Sequence, residues 1–222
     1  MSPSVSPDRR FHAANQYSQD HPIYRRGVRD ILAGNRNFTD FGEAGDATRA
    51  AELLRKEPWD AVVLDINLPV KSGLEFLREV RLAYPKLPVL VLSGYAEEQY
   101  ALRMLKAGAS GYFTKNRTPE ELIGALTRLL QGKKYISDSI AEKALAQLQP
   151  GAEKPAHELL SDREFEVLKL IVHGIAPRDI CLQLCISPRT VSTYRARLLQ
   201  KFNFKSNAQL VQYAIANKLF DD

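Results

Sequence analysis

The stretch Ala61–Asp65, AVVLD, is a run of apolar residues that ends at an acidic one. An apolar run without alternation is typical of a strand buried on both faces, as in a parallel sheet. A second such run, Pro88–Leu92, ends at Ser93, and a shorter one, Gly111–Thr114, ends at Lys115. These three runs predict the centre of a parallel sheet whose strands end in polar residues.

Segments with the 3.6-residue periodicity of a helix separate these runs. They are Pro22–Leu32, a segment around Ala51–Leu54, Lys71–Leu82, Glu97–Ala107 and Thr118–Leu130. Two weaker strands are expected, one at Phe38–Phe41 and one in the polar stretch that precedes Asp20. Because strands alternate with helices, we predict an α/β fold with a doubly wound parallel sheet of five strands and a degenerate first strand.

The chain divides by composition into four parts. Residues 1–14 form a polar arm, and residues 15–132 form the sheet domain. Residues 133–158 form a linker with one helix, and its end at 149–155 is rich in proline and glycine, as in linkers. Residues 159–222 have helical periodicity throughout. We therefore expect a separate all-α domain after the sheet domain.

The charge and cysteine content narrow the functional class. The formal net charge is +5 and the pI about 9.2, which mildly favours a polyanionic partner. Two cysteines, Cys181 and Cys185, make a disulfide framework improbable, and we expect them to pack as small apolar residues rather than to bind a metal. The sequence contains neither a membrane-spanning apolar run nor a signal peptide core, so we expect a cytoplasmic protein.

The last part of the chain predicts four helices with short connections. They begin at Ser161, Pro177, Pro188 and Ser206. The tight join Cys185–Ser187 between the second and third helices is typical of a helix-turn-helix. Between Ser187 and Lys205 there are five basic residues and no acidic one, which suits contact with phosphates. A solvated helix with scattered charge would give a similar pattern.

Four residues at predicted strand ends have the chemistry of a phosphoryl-accepting site. An aspartate that accepts a phosphoryl group needs a metal, a second carboxylate to hold that metal, a cation and a hydroxyl. Asp65 and Asp20 supply the carboxylates, and Lys115 and Ser93 supply the cation and the hydroxyl. Each of them alone is more often a turn residue or a solvated charge. Their joint placement at the carboxyl edge of one sheet indicates a site.

Four segments of this domain resemble the receiver domains of two-component response regulators. They are Asp20–Pro22, Leu64–Gly73, Val91–Gly94 and Ala107–Lys115. The resemblance implies a flavodoxin-like fold in which Asp65 is the phosphoacceptor. The implied Mg²⁺ ligands are Asp20, Asp65 and the carbonyl group of Asn67. Ser93 and Lys115 would contact the phosphoryl group, and Tyr112 would be the aromatic residue that switches with it.

The first strand departs from the pattern of this family. The corresponding stretch, Ala14–Asp20, reads ANQYSQD, with Gln19 where the family has an acidic residue. A neutral amide is a poorer ligand for a hard cation than a carboxylate. Unpaired polar residues in a buried strand also destabilise a fold, by about 1–3 kcal/mol each. We therefore predict weakened Mg²⁺ binding and weakened phosphorylation.

The helical part resembles the LuxR-type DNA-binding domain from Leu159 to about Leu219. The resemblance is carried by Leu160–Leu168, Gly174, Ile180, Ile186–Tyr194, Leu198 and Lys201-Phe202. It implies base-facing residues Ser192, Thr193 and Ala196. The implied phosphate contacts are Arg189, Tyr194, Arg197 and Lys201. The implied dimerisation residues, on an inverted-repeat promoter site, are Leu210, Val211, Ala214 and Ile215. Because the base-facing residues are small, we expect water-mediated or shape readout to contribute to specificity.

Both parts together resemble the NarL/FixJ class of response regulators. The resemblance implies a homodimeric transcription regulator without enzymatic activity, phosphorylated on Asp65 by a sensor histidine kinase. Phosphorylation would draw Ser93 inward, reorient Tyr112 and shift the population of conformers toward DNA binding.

Three alternatives stay open. The polar first strand and Gln19 favour a DNA-binding regulator with a receiver that works without phosphorylation. A phosphohydrolase with Asp65 as nucleophile is disfavoured, because Asn67 stands where such an enzyme needs a general acid. A pure protein-interaction scaffold would be indicated by failure to bind DNA at low salt.

Overall fold

The computed structural model describes residues 10–14, 21–35, 38, 40–66, 68, 71–94, 97–146, 155–217 and 219–220. The chain forms two compact units, Met1–Ser137 and Asp138–Asp222. The first unit carries a sheet with helices, and the described part of the second is helical.

A five-stranded parallel sheet forms the centre of the first unit, with strand order β2-β1-β3-β4-β5. Its strands are β1 Arg10–Ala14, β2 Asp40–Ala44, β3 Ala61–Asp65, β4 Val89–Ser93 and β5 Gly111–Thr114. All residues of β3 and β4 are buried, as their apolar runs predict. The order reverses beside β1, so the carboxyl ends of β1 and β3 flank the position where doubly wound sheets hold their sites.

Four helices connect the strands of this sheet, and a fifth follows the last strand. They are α1 His21–Ala33, α2 Ala47–Lys56, α3 Gly73–Ala83, α4 Glu97–Lys106 and α5 Pro119–Leu130. Helix α5 begins with the capping box that the sequence predicts, in which Thr118 and Glu121 exchange side-chain and backbone hydrogen bonds. Side chains of α1 and α5 pack with β3, β4 and β5 in one apolar core.

The first strand lies earlier in the chain than the sequence predicts. β1 is Arg10–Ala14 and pairs with β3 from Phe11 opposite Ala61 onward. The polar arm assigned to residues 1–14 therefore contains a strand of the sheet, and the domain boundary at residue 15 is wrong. The sequence gives a reason: RFHAA contains one aromatic and two small apolar residues, whereas residues 15–20 are almost all polar, so RFHAA suits an interior strand of a parallel sheet better. Residues 15–20 themselves lie outside the described ones.

The chain after α5 covers part of the outer edge of β5. Tyr135 forms an isolated parallel bridge with Gly111. The amide of Tyr112 donates to the carbonyl oxygen of Tyr135 at 3.1 Å. The amide of Tyr135 in turn donates to the carbonyl oxygen of Ser110 at 3.1 Å. The Tyr135 ring also packs near Phe113, with 6.0 Å between ring centroids. Residue 135 thus belongs structurally to the sheet unit, although the sequence assigns it to the linker.

The second unit contains helices whose bounds follow the predicted ones closely. They are α6 Asp138–Ala146, a 3-10 helix Ala156–Leu159, α7 Asp162–Val172, α8 Pro177–Leu184, α9 Pro188–Phe202 and α10 Asn207–Ala216. Ser161 and Glu164 form the predicted capping box at the start of α7. Prolines occupy the first positions of α8 and α9, where a helix needs no amide donor. Over the described residues, no helix has the length and apolarity to span a membrane.

Candidate phosphorylation site and nucleic-acid interface

The ends of β3, β4 and β5 bring three of the predicted site residues together. The Lys115 Nζ atom lies 2.5 Å from Oδ2 of Asp65. The amide of Lys115 donates to the carbonyl oxygen of Ser93 at 2.7 Å, which holds the end of β5 beside the end of β4. Asp65 is 1% exposed and Ser93 is fully buried. The structure thus places a carboxylate, an ammonium group and a hydroxyl-bearing residue at one edge of the sheet.

The ion pair between Asp65 and Lys115 is largely shielded from water. The side chains of the two residues are 1% and 12% exposed. A buried carboxylate is strongly disfavoured unless a cation or hydrogen-bond donors compensate its charge. Lys115 therefore provides the opposite charge that this buried carboxylate needs.

A glycine sets the return of the chain from β3 into α3. The Gly73 amide donates to the carbonyl oxygen of Ile66 at 2.9 Å. A Cβ atom on residue 73 would lie 2.5 Å from the carbonyl oxygen of Asp65, closer than real contacts allow. Ser72 caps α3 through a capping box with Glu75. Our sequence reasoning gave Gly73 no role, although the receiver-like segment ending in Lys71-Ser72-Gly73 contained the signal.

The other predicted metal ligands lie outside the described residues. Asp20, Asn67 and Gln19 are all in this category. The described residues contain no group of three or more His, Cys, Asp or Glu with metal-binding geometry. Asp65 by itself fits Mg²⁺, since an anionic carboxylate at a sheet edge is the donor that this hard cation prefers.

Tyr112, the predicted switch residue, lies two strands away from Asp65, with β4 between β3 and β5. It is fully buried in β5, opposite Val91 of β4. Ser93 follows two residues after Val91 on the same strand, so Ser93 and Tyr112 lie near each other on adjacent strands. This placement is compatible with coupling between them, and their coupling stays a prediction.

Helix α9 of the second unit has the two faces that a recognition helix needs. Val191, Leu198 and Phe202 are buried, as predicted. Most of the remaining side chains point outward. The predicted DNA-contacting residues among them are exposed, except that Tyr194 is partly buried: Arg189, Ser192, Thr193, Tyr194, Ala196, Arg197 and Lys201. The outer side of α9 is thus accessible within its own unit.

Two of the basic residues on α9 form side-chain contacts with other residues of their own domain. Arg195 Nε donates to Oδ1 of Asn207 at 2.7 Å, which ties α9 to α10. Lys201 Nζ lies 2.6 Å from Oε2 of Glu164, a buried residue of α7. Lys201 therefore has a structural partner that the sequence did not reveal, and its predicted contact with phosphate competes with this ion pair.

The surroundings of Glu164 favour its ionised form. Burial alone would raise the pKa of this carboxyl group. Hydrogen bonds from Lys201 and Ser161 and the charge of Lys201 outweigh burial, and the pKa lies below its ordinary value. The carboxylate accepts from Lys201 Nζ and, at 2.7 Å, from the amide of Ser161. Glu164 thus fastens the end of α9 to the start of α7.

The prediction that four residues of α10 form a dimer contact is wrong for two of them. Leu210 and Ala214 are fully buried in a unit where α10 packs on α7 and α9. Their apolar i, i+4 spacing reflects the core of their own domain. Val211 is partly buried and Ile215 is 64% exposed, so only these two reach the outer side of α10.

The cysteine prediction is also wrong in part. Cys185 is exposed and Cys181 is partly buried, and both thiols are free. Cys185 follows the last residue of α8 as its C-cap, in the left-handed conformation with φ 52°.

Comparisons with known proteins agree with this architecture. Residues 18–127 match the response regulator receiver domain, and residues 158–214 match the luxR family of bacterial regulatory proteins. Response regulator UvrY of Escherichia coli K12 is 31% identical over 201 residues, which span 90% of this chain and 92% of UvrY. Response regulator GacA of Pseudomonas aeruginosa is 32% identical over 203 residues, which span 91% and 95%.

A solved structure shows the same fold. The RcsB response regulator of Salmonella typhimurium superposes with a TM-score of 0.67 at 23% identity, covering 96% of this chain and 99% of RcsB. The chain belongs to the NarL/FixJ class of response regulators, which join a receiver domain to a LuxR-type helix-turn-helix domain. It is therefore a DNA-binding transcription regulator under phosphorylation control rather than an enzyme.

Proposed function

We propose that Asp65 accepts a phosphoryl group from a sensor histidine kinase and that its phosphorylation controls DNA binding through α9. The observation that carries this proposal is the buried ion pair of Asp65 with Lys115, at a strand end shared with Ser93. A receiver domain implies such a kinase as its partner. Phosphate and its charge need a cation and a hydroxyl at the acceptor, and this edge of the sheet offers both.

The chemistry at the site follows from these side chains. A carboxylate oxygen of Asp65 attacks the phosphorus atom of the phosphohistidine, an acyl phosphate forms, and the bond between phosphorus and the histidine nitrogen breaks. Lys115 then exchanges its contact with the carboxylate for one with a phosphoryl oxygen, and the Ser93 hydroxyl donates to another. Both contacts are new in the phosphorylated state, so they favour conformers in which Ser93 has moved toward Asp65.

Receiver domains typically bind Mg²⁺ at this site, and we propose its ligands here as Asp65, Asp20 and the Asn67 carbonyl group. A Mg²⁺ ion held by these residues would supply positive charge to the phosphoryl oxygens. Gln19 removes one acidic neighbour, and we expect weaker binding of the metal than in receivers with two acids at this point.

On the DNA side, we propose that Arg189 and Arg197 contact phosphates and that Ser192, Thr193 and Ala196 face base edges. All five are exposed on α9. Tyr194 is partly buried and would reach a phosphate from the edge of this face. Lys201 acts mainly by positioning α9 through Glu164.

We propose the following organisation for the working molecule. The receiver covers residues 10–137, the linker 138–158 and the DNA-binding domain 159–222. Two copies bind an inverted-repeat promoter site in the cytoplasm, with Val211 and Ile215 on the outer side of α10 in the contact between them. Phosphorylation raises the population of the DNA-binding dimer.

The deciding experiment is incubation of the full chain with a small phosphodonor and Mg²⁺, followed by intact-mass measurement. We expect one phosphoryl adduct, absent in Asp65→Asn, together with tighter binding to promoter DNA. Asp60→Asn is a matched control, because Asp60 is an exposed residue just before β3.

The second candidate, a regulator that works without phosphorylation, is favoured by Gln19 and the polar residues 15–20. It predicts no adduct and unchanged DNA binding and transcription in Asp65→Ala. Loss of transcriptional response in that variant would reject it.

A further inference from the structure

The base-facing side of α9 offers an unusually narrow set of chemical groups. Ser192, Thr193 and Ala196 are exposed, and none of them has a long or charged side chain. Thr193 Oγ1 donates a hydrogen bond of 2.9 Å to the carbonyl oxygen of Arg189, one turn earlier. The one hydroxyl proton of Thr193 is therefore engaged inside the helix. What remains outward at this position is an acceptor oxygen and a methyl group.

Thr193 and Ala196 are poorly suited to guanine. In the major groove guanine presents two acceptors, N7 and O6, so its recognition needs a donor from the protein. Thr193 has its proton engaged within α9, and Ala196 has no polar atom in its side chain. Neither position carries a long side chain with a hydrogen-bond donor, such as arginine or lysine, which commonly contacts guanine.

The same groups are well suited to thymine. Thymine is the base that presents a methyl group, at C5, and Ala and Thr methyl groups contact it in major-groove complexes. Positions 193 and 196 are three residues apart, so both methyl groups lie on one side of α9 about one turn apart.

We propose that Thr193 and Ala196 determine the sequence preference of this protein through contacts with thymine methyl groups in each half-site. This inference rests on the proposed DNA-facing side of α9 and names the chemical group that this side reads.

The test begins with the full chain and a random-sequence duplex library. The duplex retained with small phosphodonor and Mg²⁺ present is resynthesised with each thymine replaced singly by deoxyuridine, which removes only the C5 methyl group. In each half-site we expect at least one thymine whose replacement weakens binding about fourfold, the effect of losing one buried methyl group. Thymines outside the half-sites serve as internal controls.

Two substitutions at residue 193 separate the methyl group from the hydroxyl. Thr193→Val keeps a methyl group and loses the hydroxyl, and we expect it to keep the preference for thymine over uracil. Thr193→Ser keeps the hydroxyl and loses the methyl group. For one of the thymine positions, we expect it to bind the original duplex and the uracil-substituted duplex equally well. Ala196→Gly tests the second contact. The readout is the ratio of a variant's affinity for the original duplex to its affinity for the uracil-substituted duplex. A general loss of helix stability in Ala196→Gly lowers both affinities alike and leaves this ratio unchanged.

Each outcome decides between distinct conclusions. Equal binding to all uracil-substituted duplexes, a retained duplex without thymine in its half-sites, or undiminished discrimination by Thr193→Ser and Ala196→Gly would overturn the inference. Failure of the chain to retain any duplex would instead contradict the proposed DNA-facing side of α9.

Discussion

At the scale of single residues, Lys115 has two roles that mutagenesis can separate. It compensates the buried charge of Asp65 at 2.5 Å, and we propose that it contacts the phosphoryl group. We expect Lys115→Met to lower the free energy of unfolding by about 3–5 kcal/mol in urea at pH 7, because it removes the cation that is paired with a buried carboxylate. The double variant Asp65→Asn with Lys115→Met should recover most of this loss, since it removes both charges.

The control for this prediction is Lys133→Met. Lys133 is exposed, and its substitution should change stability by no more than about 0.5 kcal/mol. A Lys115→Met variant as stable as the wild type would show that Asp65 has other compensation in the folded protein.

Glu164 should give the DNA-binding domain a measurable pH dependence. Its pKa in the folded protein lies below the ordinary value of 4.5 because Lys201 and Ser161 stabilise the carboxylate more than burial disfavours it. Stability from this group is therefore present above pH 4.5 and is lost as the pH falls through the lowered pKa. We expect Glu164→Gln to destabilise the domain at pH 7 and to differ less from the wild type as the pH falls below that window.

The measurement is urea unfolding followed by circular dichroism at several pH values. Glu120→Gln is the control, because Glu120 is an exposed first-turn residue of the other unit. A gap between wild type and Glu164→Gln that stays constant down to acid pH would contradict the prediction.

At the scale of elements, the connection from β3 to α3 depends on the absence of a side chain at residue 73. Gly73→Ala would place a Cβ atom 2.5 Å from the carbonyl oxygen of Asp65 and 2.7 Å from that of Ile66. Backbone atoms cannot yield as a flexible side chain does, so we expect lower thermal stability and slower formation of the phosphoryl adduct. Gly124→Ala is the matched control: a Cβ atom there meets nothing within 4 Å, and alanine should stabilise α5 by up to about 1 kcal/mol. An unimpaired Gly73→Ala protein would show that this loop relaxes freely.

The elements also show what the sequence could predict and where it failed. Buried strands such as β3 and β4 carry continuous apolar runs, and α8 and α9 have proline at their first positions, so their bounds were predictable. β1 was misplaced because a short central strand with one aromatic residue gives little periodic signal.

The candidate sites divide in the same way. Asp65, Ser93 and Lys115 were predictable because parallel strands end at one edge. The pairing of Lys201 with Glu164 was not, since 37 positions separate the two residues and no local pattern links them. Leu210 and Ala214 were misjudged because an apolar stripe does not by itself tell whether its own domain or a partner covers it.

At the scale of the whole molecule, the strength of DNA binding should depend on salt through a small number of arginines. Each phosphate contact contributes about −0.9 to the slope of log K against log salt concentration. Because Arg189 and Arg197 are exposed on α9, we expect each Arg→Ala change to make this slope less steep by about 0.9 per protomer. Fluorescence anisotropy across a salt series gives the slopes.

Lys133→Met again serves as the control, as an exposed cation of the other unit. Unchanged slopes in both arginine variants would place the phosphate contacts elsewhere on the protein. A uniform loss of affinity over all sequences, without loss of sequence preference, would support phosphate contact rather than base contact.

The bridge between Tyr135 and Gly111 has a practical consequence for dividing this protein into parts. A fragment that ends at residue 132 would lack Tyr135, which pairs with the outer edge of β5. Backbone amide and carbonyl groups at that edge would then be exposed to water. Exposed edge strands of this kind pair with other chains and promote aggregation. An isolated receiver fragment that ends after residue 137 should stay monodisperse in light scattering, whereas one that ends at 132 should self-associate.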